Sequence, residues 1–332
     1  NMPNILRMEF YVPDFKVPDK YEQLVRTPLS NLVGTLEVDK PDNHCGMVKN
    51  KEYPIFKSLE SSNVFYDAKD IQGGQYVRDR FYYTLLPFSL YSLGDFVTDS
   101  LQFTGVLTSG GIFPDIEEPL RVQKDYYLGF NIQTPQGGYP AYGGKGHYSK
   151  KLKLDHSGLR GNGTLDYLTS TSKSKDYLFL LDSTVAVTDT ISVREEQGFP
   201  QISNGRASMH WHPYKDSMAV ATVDGGRPFK MYRGDAALRG RVDLMPKGAA
   251  AAGVADVREG TFTSQHFALA AREMNAEVSD FTLRSTQYKT VAFSARNVSS
   301  SVNYDTRRAD LQAKQGPVHS DLQLVQYEAW AD

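Results

Sequence analysis

Two histidines that flank a tryptophan, His210-Trp211-His212, have the spacing that most resembles a reactive site. On a β-strand the two imidazoles would share one face, about 6.8 Å apart, while Trp211 would point to the opposite face. Such a pair can bind a metal ion only if a third ligand arrives from elsewhere in the chain. We interpret the histidines as structural and Trp211 as part of the core, and we predict no metal and no other cofactor.

A turn-rich loop over residues 137–146, with the sequence GGYPAYGGKG, is the second candidate. It does not match the phosphate-binding pattern G-x4-G-K-[ST], because Gly146 follows Lys145 where Ser or Thr is needed. The aromatic rings of Tyr139 and Tyr142 could instead contact a glycan. We therefore expect Tyr139 and Tyr142 to be the possible glycan contacts.

The carboxylates do not suggest a catalytic pair. Polysaccharide-cleaving enzymes place two acidic side chains around the scissile bond, and no such pairing stands out here. The scattered acids considered are Asp115, Glu117, Glu118, Asp182, Asp189, Glu195 and Glu196. The chain also lacks G-x-S-x-G, H-E-x-x-H and C-x-x-C motifs. The sequence therefore predicts a protein that is not an enzyme.

The composition of the chain limits which partners it can bind and in which cellular compartment it is found. The formal net charge of the 332 residues is -2, which does not indicate binding to nucleic acid. Cys45 is the single cysteine, so no internal disulfide can form. No run of 18 apolar residues predicts a transmembrane helix. The first four residues lack a charged or apolar leader pattern, so we expect that any signal peptide has been removed or never existed.

The elements that would position these residues belong to a repeat. When the chain is shifted by 90 residues, residues 151–194 align with residues 241–284 without a gap. Eight identities share this register, at Leu154, Gly158, Gly163, Asp166, Thr171, Ser174, Ala186 and Arg194. Unrelated sequences of average composition would give roughly two or three identities. The match predicts two copies of one building block.

Alternation of apolar and polar residues within each copy is typical of half-buried strands. Glycines recur between the strands, and we expect Gly158, Gly163, Gly248 and Gly253, with Trp211, to be structural residues of the repeat. Ser301-Val302-Asn303-Tyr304 echoes residues 208–211, which predicts a third unit in which Tyr304 takes the place of Trp211.

We therefore predict an all-β fold with an elongated repeat architecture, either a β-solenoid or a grooved β-sheet, and a unit of approximately 90 residues. The predicted segments are a partial unit or cap over 1–60, a β-rich segment over 61–120, repeat units over 121–210 and 211–300, and the truncated start of a third unit over 301–332.

Three phrases, SLGDFVTDSLQFTGVLTSGGIFPDI at 92–116, KLKLDHSGLRGNGTLDYL at 151–168 and ASMHWHPYKDSMAV at 207–220, resemble the very large, repetitive β-rich cell-envelope proteins of Gram-negative bacteria. The rhythm of leucines and glycines is also similar, more weakly, to AsmA/TamB-type proteins, which span the periplasm as a lipid-carrying β-sheet groove. The resemblance implies an extracytoplasmic location, in the periplasm, at the outer membrane or on the cell surface.

The expected function is that of a non-enzymatic structural or adhesive repeat segment of a large extracytoplasmic protein. Its partners would be neighbouring repeats of the same parent chain, with an envelope protein, lipid or glycan as further possibilities. Two alternatives stay open: a lipid-conducting or envelope-bridging β-groove, and a polysaccharide-binding or polysaccharide-cleaving β-helix.

Overall fold

The computed structural model describes residues 29–30, 34–39, 53–58, 60–66, 76–90, 102–123, 128–285, 287 and 290–313. Cys45 and most of the predicted cap over 1–60 lie outside these residues. Within them the regular structure is β-strand apart from two short 3₁₀ turns, Pro213–Lys215 and Tyr232–Gly234. The predicted all-β class is confirmed.

The strands of the first half are β1 (Leu29–Ser30), β2 (Gly34–Asp39), β3 (Tyr53–Ser58), β4 (Ser62–Phe65), β5 (Phe81–Leu85), β6 (Ser89–Leu90), β7 (Gln102–Phe103), β8 (Gly105–Ser109), β9 (Leu120–Val122), β10 (Leu128–Gln133), β11 (Tyr139–Ala141), β12 (Gly146–Asp155) and β13 (Gly158–Tyr167). Those of the second half are β14 (Ser170–Phe179), β15 (Thr184–Thr188), β16 (Thr190–Val193), β17 (Ile202–Asn204), β18 (Ala207–His212), β19 (Ser217–Thr222), β20 (Phe229–Met231), β21 (Ala236–Met245), β22 (Gly248–Val257), β23 (Gly260–Leu269), β24 (Glu273–Arg284), β25 (Val291–Asn303) and β26 (Arg308–Ala313).

The chain divides into two compact units. The first comprises Asn1–Gly144, Ser149–Gly161 and Leu178–Leu181, and the second comprises Lys145–Tyr148, Asn162–Tyr177 and Asp182–Asp332. In the first unit, strands pair antiparallel in the orders β1-β4-β5-β8 and β2-β3-β6, and β9 pairs with both β7 and β10. Its core is aromatic, and Tyr76 stacks on Phe81 with ring centroids 4.0 Å apart.

Eight strands of the second unit close into a barrel, in the order β14-β16-β17-β20-β21-β19-β18-β15 and back to β14. The ring closes because two long strands each pair with two shorter ones. β14 pairs with β15 and β16, and β21 pairs with β19 and β20. A closed ring leaves none of these strands with an unpaired edge.

Small hydroxyl side chains of β14 face the barrel interior and leave room for methionines from the far wall. Ser172 Oγ lies 3.6 Å from Met209 Sδ, and Ser170 Oγ lies 3.9 Å from Met218 Sδ. β14 and β19 are not neighbours in the ring, so the second contact crosses the interior. The flexible thioethers fill this irregular space.

After the barrel, β21 to β26 form an antiparallel meander in which each strand pairs with the next. Residues 249–252, four alanines, lie in β22 although alanine favours helices. They form a strand because Ala249–Ala251 pair on both sides, with β21 and with β23. Their small side chains are nearly all buried between neighbours.

The predicted β-solenoid or grooved β-sheet is wrong, because the strands of the second unit close into a barrel. Sequence alternation indicated the strands correctly but carried no information on which distant strands would pair. The short strands β17 to β20 decide the closure, and their pairings are long-range.

The bounds of six strands recur at an offset of 90 residues. β12, β13 and β14 each have ten residues, and each begins and ends 90 positions before β21, β22 and β23. We call residues 146–222, from β12 to β19, the first block and residues 236–313, from β21 to β26, the second block. A side-chain bond recurs at the same offset: Thr171 Oγ1 donates to Asp166 Oδ1 at 2.6 Å, and Thr261 Oγ1 donates to Asp256 Oδ1 at 3.0 Å.

Each block ends in a hairpin, β18–β19 or β25–β26, whose first strand pairs with an earlier strand of the same block, and we call these two places the first and second junctions. In the first junction β18 pairs with β15, so that Thr184 faces Trp211. In the second junction β25 pairs with β24, so that Met274 faces Val302. Because position 184 corresponds to 274, Trp211 corresponds to Val302. The predicted match of Trp211 with Tyr304 is therefore wrong by two residues.

Candidate functional site

The two histidines lie on β18, where residues two apart have their side chains on the same face of the strand. Trp211 is fully buried, whereas His210 is exposed and His212 is half-buried. The two imidazole centroids are 3.9 Å apart. That is closer than the flat-strand spacing, because the rings lean toward each other.

The environment of His210 disfavours the charged form of its imidazole. Although the His210 side chain is exposed, the protein around the ring removes enough water to lower its pKa, and the neighbouring His212 and Lys215 act in the same direction while Asp182 opposes them. Within the described residues, no group of three or more His, Cys, Asp or Glu side chains is placed to hold a metal ion.

The proposed glycan contacts do not form one surface. Tyr142 is 1% exposed and its hydroxyl donates to the Leu180 carbonyl at 2.7 Å. A ring without an exposed face cannot stack on a sugar, so Tyr142 is wrong as a glycan contact. Tyr139 is half-buried and packs on Phe113, with centroids 5.9 Å apart.

The glycines singled out from the sequence lie at strand positions of the blocks. Gly158, Gly248 and Gly253 have positive φ angles of 98°, 132° and 134°, which favour glycine. A Cβ on Gly253 would also collide with the Arg239 carbonyl oxygen. Gly163 is buried in β13 and is not among the glycines with positive φ.

In the first block, Trp211 fills a corner between strands. Its ring lies 5.2 Å from that of Tyr167, centroid to centroid. A Cβ on Gly146 would collide with the Trp211 indole, so glycine there gives the indole its space. Met218 faces Trp211 across the β18–β19 pair and is fully buried. Large side chains thus leave this corner closed.

The same corner of the second block holds smaller residues. Val302 replaces Trp211, Val257 replaces Tyr167, and Ala309 replaces Met218 at the position that faces Val302. Ala236 stands where the first block has Gly146, and its Cβ is tolerated because no indole occupies the corner. Phe262 and Phe281 replace Ser172 and Ile191 and refill only part of the space.

The space that the smaller residues of the second block leave unfilled is a cavity of about 200 Å³, which we call the corner cavity. Its walls include Phe262, Phe281, Leu283, Val302 and Val257, and its polar lining includes Arg258, Arg307, Arg308, Asp235, Glu259, Asn303 and Tyr304. Tyr304 is held by stacking on Tyr232, with centroids 3.7 Å apart and planes at 14°. The Tyr232 hydroxyl donates to the Glu273 carbonyl at 2.7 Å.

The charges at this corner also differ between the blocks. In the first, Lys145 and Asp216 form an ion pair at 2.5 Å, and Leu168 and Ser217 are uncharged. In the second, the corresponding residues are Asp235, Arg307, Arg258 and Arg308. With Glu259 included, the charged residues lining the corner cavity carry three positive and two negative charges.

A second cavity, of about 380 Å³, is lined by β16 and β17 residues together with Glu195 and Arg233. Arg194 and Gln201 also line this cavity, and its acidic residue, Glu195, is already paired with two arginines. Glu195 pairs with Arg272 at 3.0 Å and with Arg233 at 3.6 Å. Because its acid and bases neutralise each other, this cavity has less to offer a ligand than the corner cavity.

Comparison with known proteins gives no further guide, since no family model, no curated protein and no solved structure matches the chain. In the part of the chain that the structure describes, no helix is long and apolar enough to cross a membrane.

Sequence reasoning missed the corner cavity. The sequence signal for it is the replacement of the large Trp211 by the smaller Val302. This replacement is found only when the two hairpins are aligned at an offset of 91 residues, and the alignment at 90 misses it. The turn residues show the offset of 91: Asp216 and Arg307 both adopt left-handed backbone, with φ of 47° and 56°.

Proposed function

We propose that the chain is a non-enzymatic structural or adhesive segment of a large extracytoplasmic protein, built by duplication of one β-block. The observation that supports this most is the repeated junction. Thr184 pairs with Trp211 and Met274 pairs with Val302 in corresponding registers, and both junction hairpins turn through a left-handed residue. A way of joining blocks that is used twice can be used many times, as array proteins require.

The surface of the blocks fits a role as a spacer or support. Exposed positions of β14 carry Lys173 and Lys175, while Ser172 and Ser174, which alternate with them, are buried. Charged residues on an outward face oppose edge-to-edge and face-to-face aggregation. The extracytoplasmic location rests on the resemblance to large envelope proteins and on the single cysteine, Cys45.

Labelling of intact bacterial cells that express the parent protein would test the proposal. A membrane-impermeant amine reagent should modify the exposed Lys151, Lys173 and Lys175 before the cytoplasmic membrane is broken. Mass spectrometry of the labelled protein should also reveal further blocks of about 90 residues. If the lysines are modified only after the cytoplasmic membrane has been broken, the extracytoplasmic location is contradicted. A parent protein without further blocks would contradict the spacer role.

A further inference from the structure

We infer that the corner cavity of the second block binds a small aromatic anion, such as an aryl carboxylate. This inference goes beyond the structural or adhesive role and does not depend on it. The first block shows what the space accommodates, since its equivalent is occupied by the Trp211 indole against Tyr167. The second block lacks both rings, so a ligand with a flat aromatic body would restore the missing contacts.

The walls favour an aromatic ligand over a sugar or a long acyl chain. Phe262 and Val302 are buried, and Phe281 is half-buried beside them. Phe262 and Phe281 lie 4.7 Å apart at 44°. Phe281 also contacts Phe293 outside the cavity, at 6.1 Å between centroids, and a ligand ring would pack on the parts of Phe262 and Phe281 that line the cavity. A pyranose would bury hydroxyls against these walls without partners. The volume of about 200 Å³ is below the roughly 300–1,000 Å³ of sites for drug-sized ligands.

The rim favours a negative charge. Arg258 replaces the exposed Leu168, and Arg307 replaces Asp216, which is bound to Lys145 in the first block. Guanidinium groups bind carboxylates with two parallel hydrogen bonds. Asp235 and Glu259 also line the cavity, and Arg308 is already paired with Asp310 at 2.7 Å. We therefore assign the binding of the anion to Arg258 and Arg307, and we expect the anion to be a monoanion.

Ligand-observed NMR with the full chain, using indole-3-acetate, indole and tryptamine as probes, tests the inference. We expect saturable binding of indole-3-acetate with one site, at least fivefold tighter than that of tryptamine. Val257→Tyr copies the first block and should weaken binding at least tenfold. Val278→Tyr places the same ring on an exposed site of β24 and should leave binding unchanged.

Two further variants keep the test decisive. If Val257→Tyr does not fold, Ala309→Met, which copies Met218, should weaken binding in the same way. Arg258→Leu should abolish the preference for indole-3-acetate over tryptamine while indole still binds, whereas Arg239→Leu, an exposed arginine outside the cavity, should retain the preference. Absence of saturable binding, equal affinity for tryptamine, or full binding by both cavity-filled variants would overturn the inference.

Discussion

The first and second blocks have corresponding strand bounds and a shared Thr-Asp hydrogen bond, but they differ at one corner. The first block closes that corner with Trp211 and Tyr167, and the second leaves a cavity with charged residues at its rim. Fold and cavity therefore depend on different residues. Backbone pairing is retained where side chains are exchanged, so one block can serve stability while the other becomes free to bind.

The largest effect should follow from opening the closed corner. Trp211→Val copies Val302 and removes a fully buried indole. Such truncations cost about 3–5 kcal/mol, and we expect the free energy of unfolding in urea to fall by about that amount. Val187→Thr, at an exposed position of β15 in the same junction, should change it by less than about 0.5 kcal/mol.

Gly146, at the same corner, tests whether the residue at position 146 depends on the size of the residue at position 211. Gly146→Ala should destabilise the wild-type protein, because its Cβ collides with the indole. In the Trp211→Val background the same change should cost less, because only the close contact of the new Cβ with the Asp166 carbonyl oxygen remains. The second block has Ala236 at the equivalent position. Additive effects of the two substitutions would contradict the proposed equivalence of the corners.

Much of the strand pattern could be predicted from the sequence, because a gapless offset of 90 places Gly158 and Gly248 at the starts of equivalent strands. The barrel could not, because its closure depends on which distant strands pair. Met209 and Met218 look like ordinary inward residues of β18 and β19, and only the structure shows them meeting serines of β14.

The candidate site was less predictable still. Tyr142 appeared in a glycine-rich loop typical of exposed turns, yet its ring is buried and its hydroxyl is bound to Leu180. The corner cavity arises from residues that are far apart in sequence, such as Val257 and Val302. Each is an unremarkable valine in a strand, and only comparison with the larger residues of the first block reveals the vacant volume.

A second difference concerns the backbone within the blocks. Gly253 has a φ of 134° and faces Gly240, which has a φ of 149°. The equivalent positions of the first block are Gly163, without positive φ, and Lys150, with a φ of 96°. Gly253→Ala should therefore lower the free energy of unfolding by about 2 kcal/mol or more, through left-handed strain and the collision with Arg239.

Gly163→Ala provides the matched comparison for that measurement. Because Gly163 does not have a positive φ, Gly163→Ala should lower the free energy of unfolding by less than Gly253→Ala does, with a difference of about 1 kcal/mol or more. Equal costs in urea unfolding would show that the two blocks place the same demand on this glycine, and the distinction drawn from their backbones would fail.

The smallest predicted effect is a difference between the two junctions in how their contribution to stability depends on pH. His210 and His212 of the first junction correspond to Ser301 and Asn303 of the second, so only the first junction contains histidine at these positions. Burial lowers the pKa of His210 in the folded protein, helped by His212 and Lys215 and opposed by Asp182. The unfolded chain then takes up a proton at a higher pH than the folded chain does.

The sign of the pH dependence follows from this difference. The stabilising contribution of neutral His210 is complete above the ordinary histidine pKa of about 6.5 and is lost as the pH falls through that value toward the lowered folded pKa. The urea midpoint should therefore fall between pH 7.5 and 5.5, and His210→Ser, which copies Ser301, should reduce the fall. His266→Ser, on the exposed face of β23, should leave the fall unchanged. An identical pH slope in the His210→Ser variant would mean that the first junction contributes no more to acid sensitivity than the second.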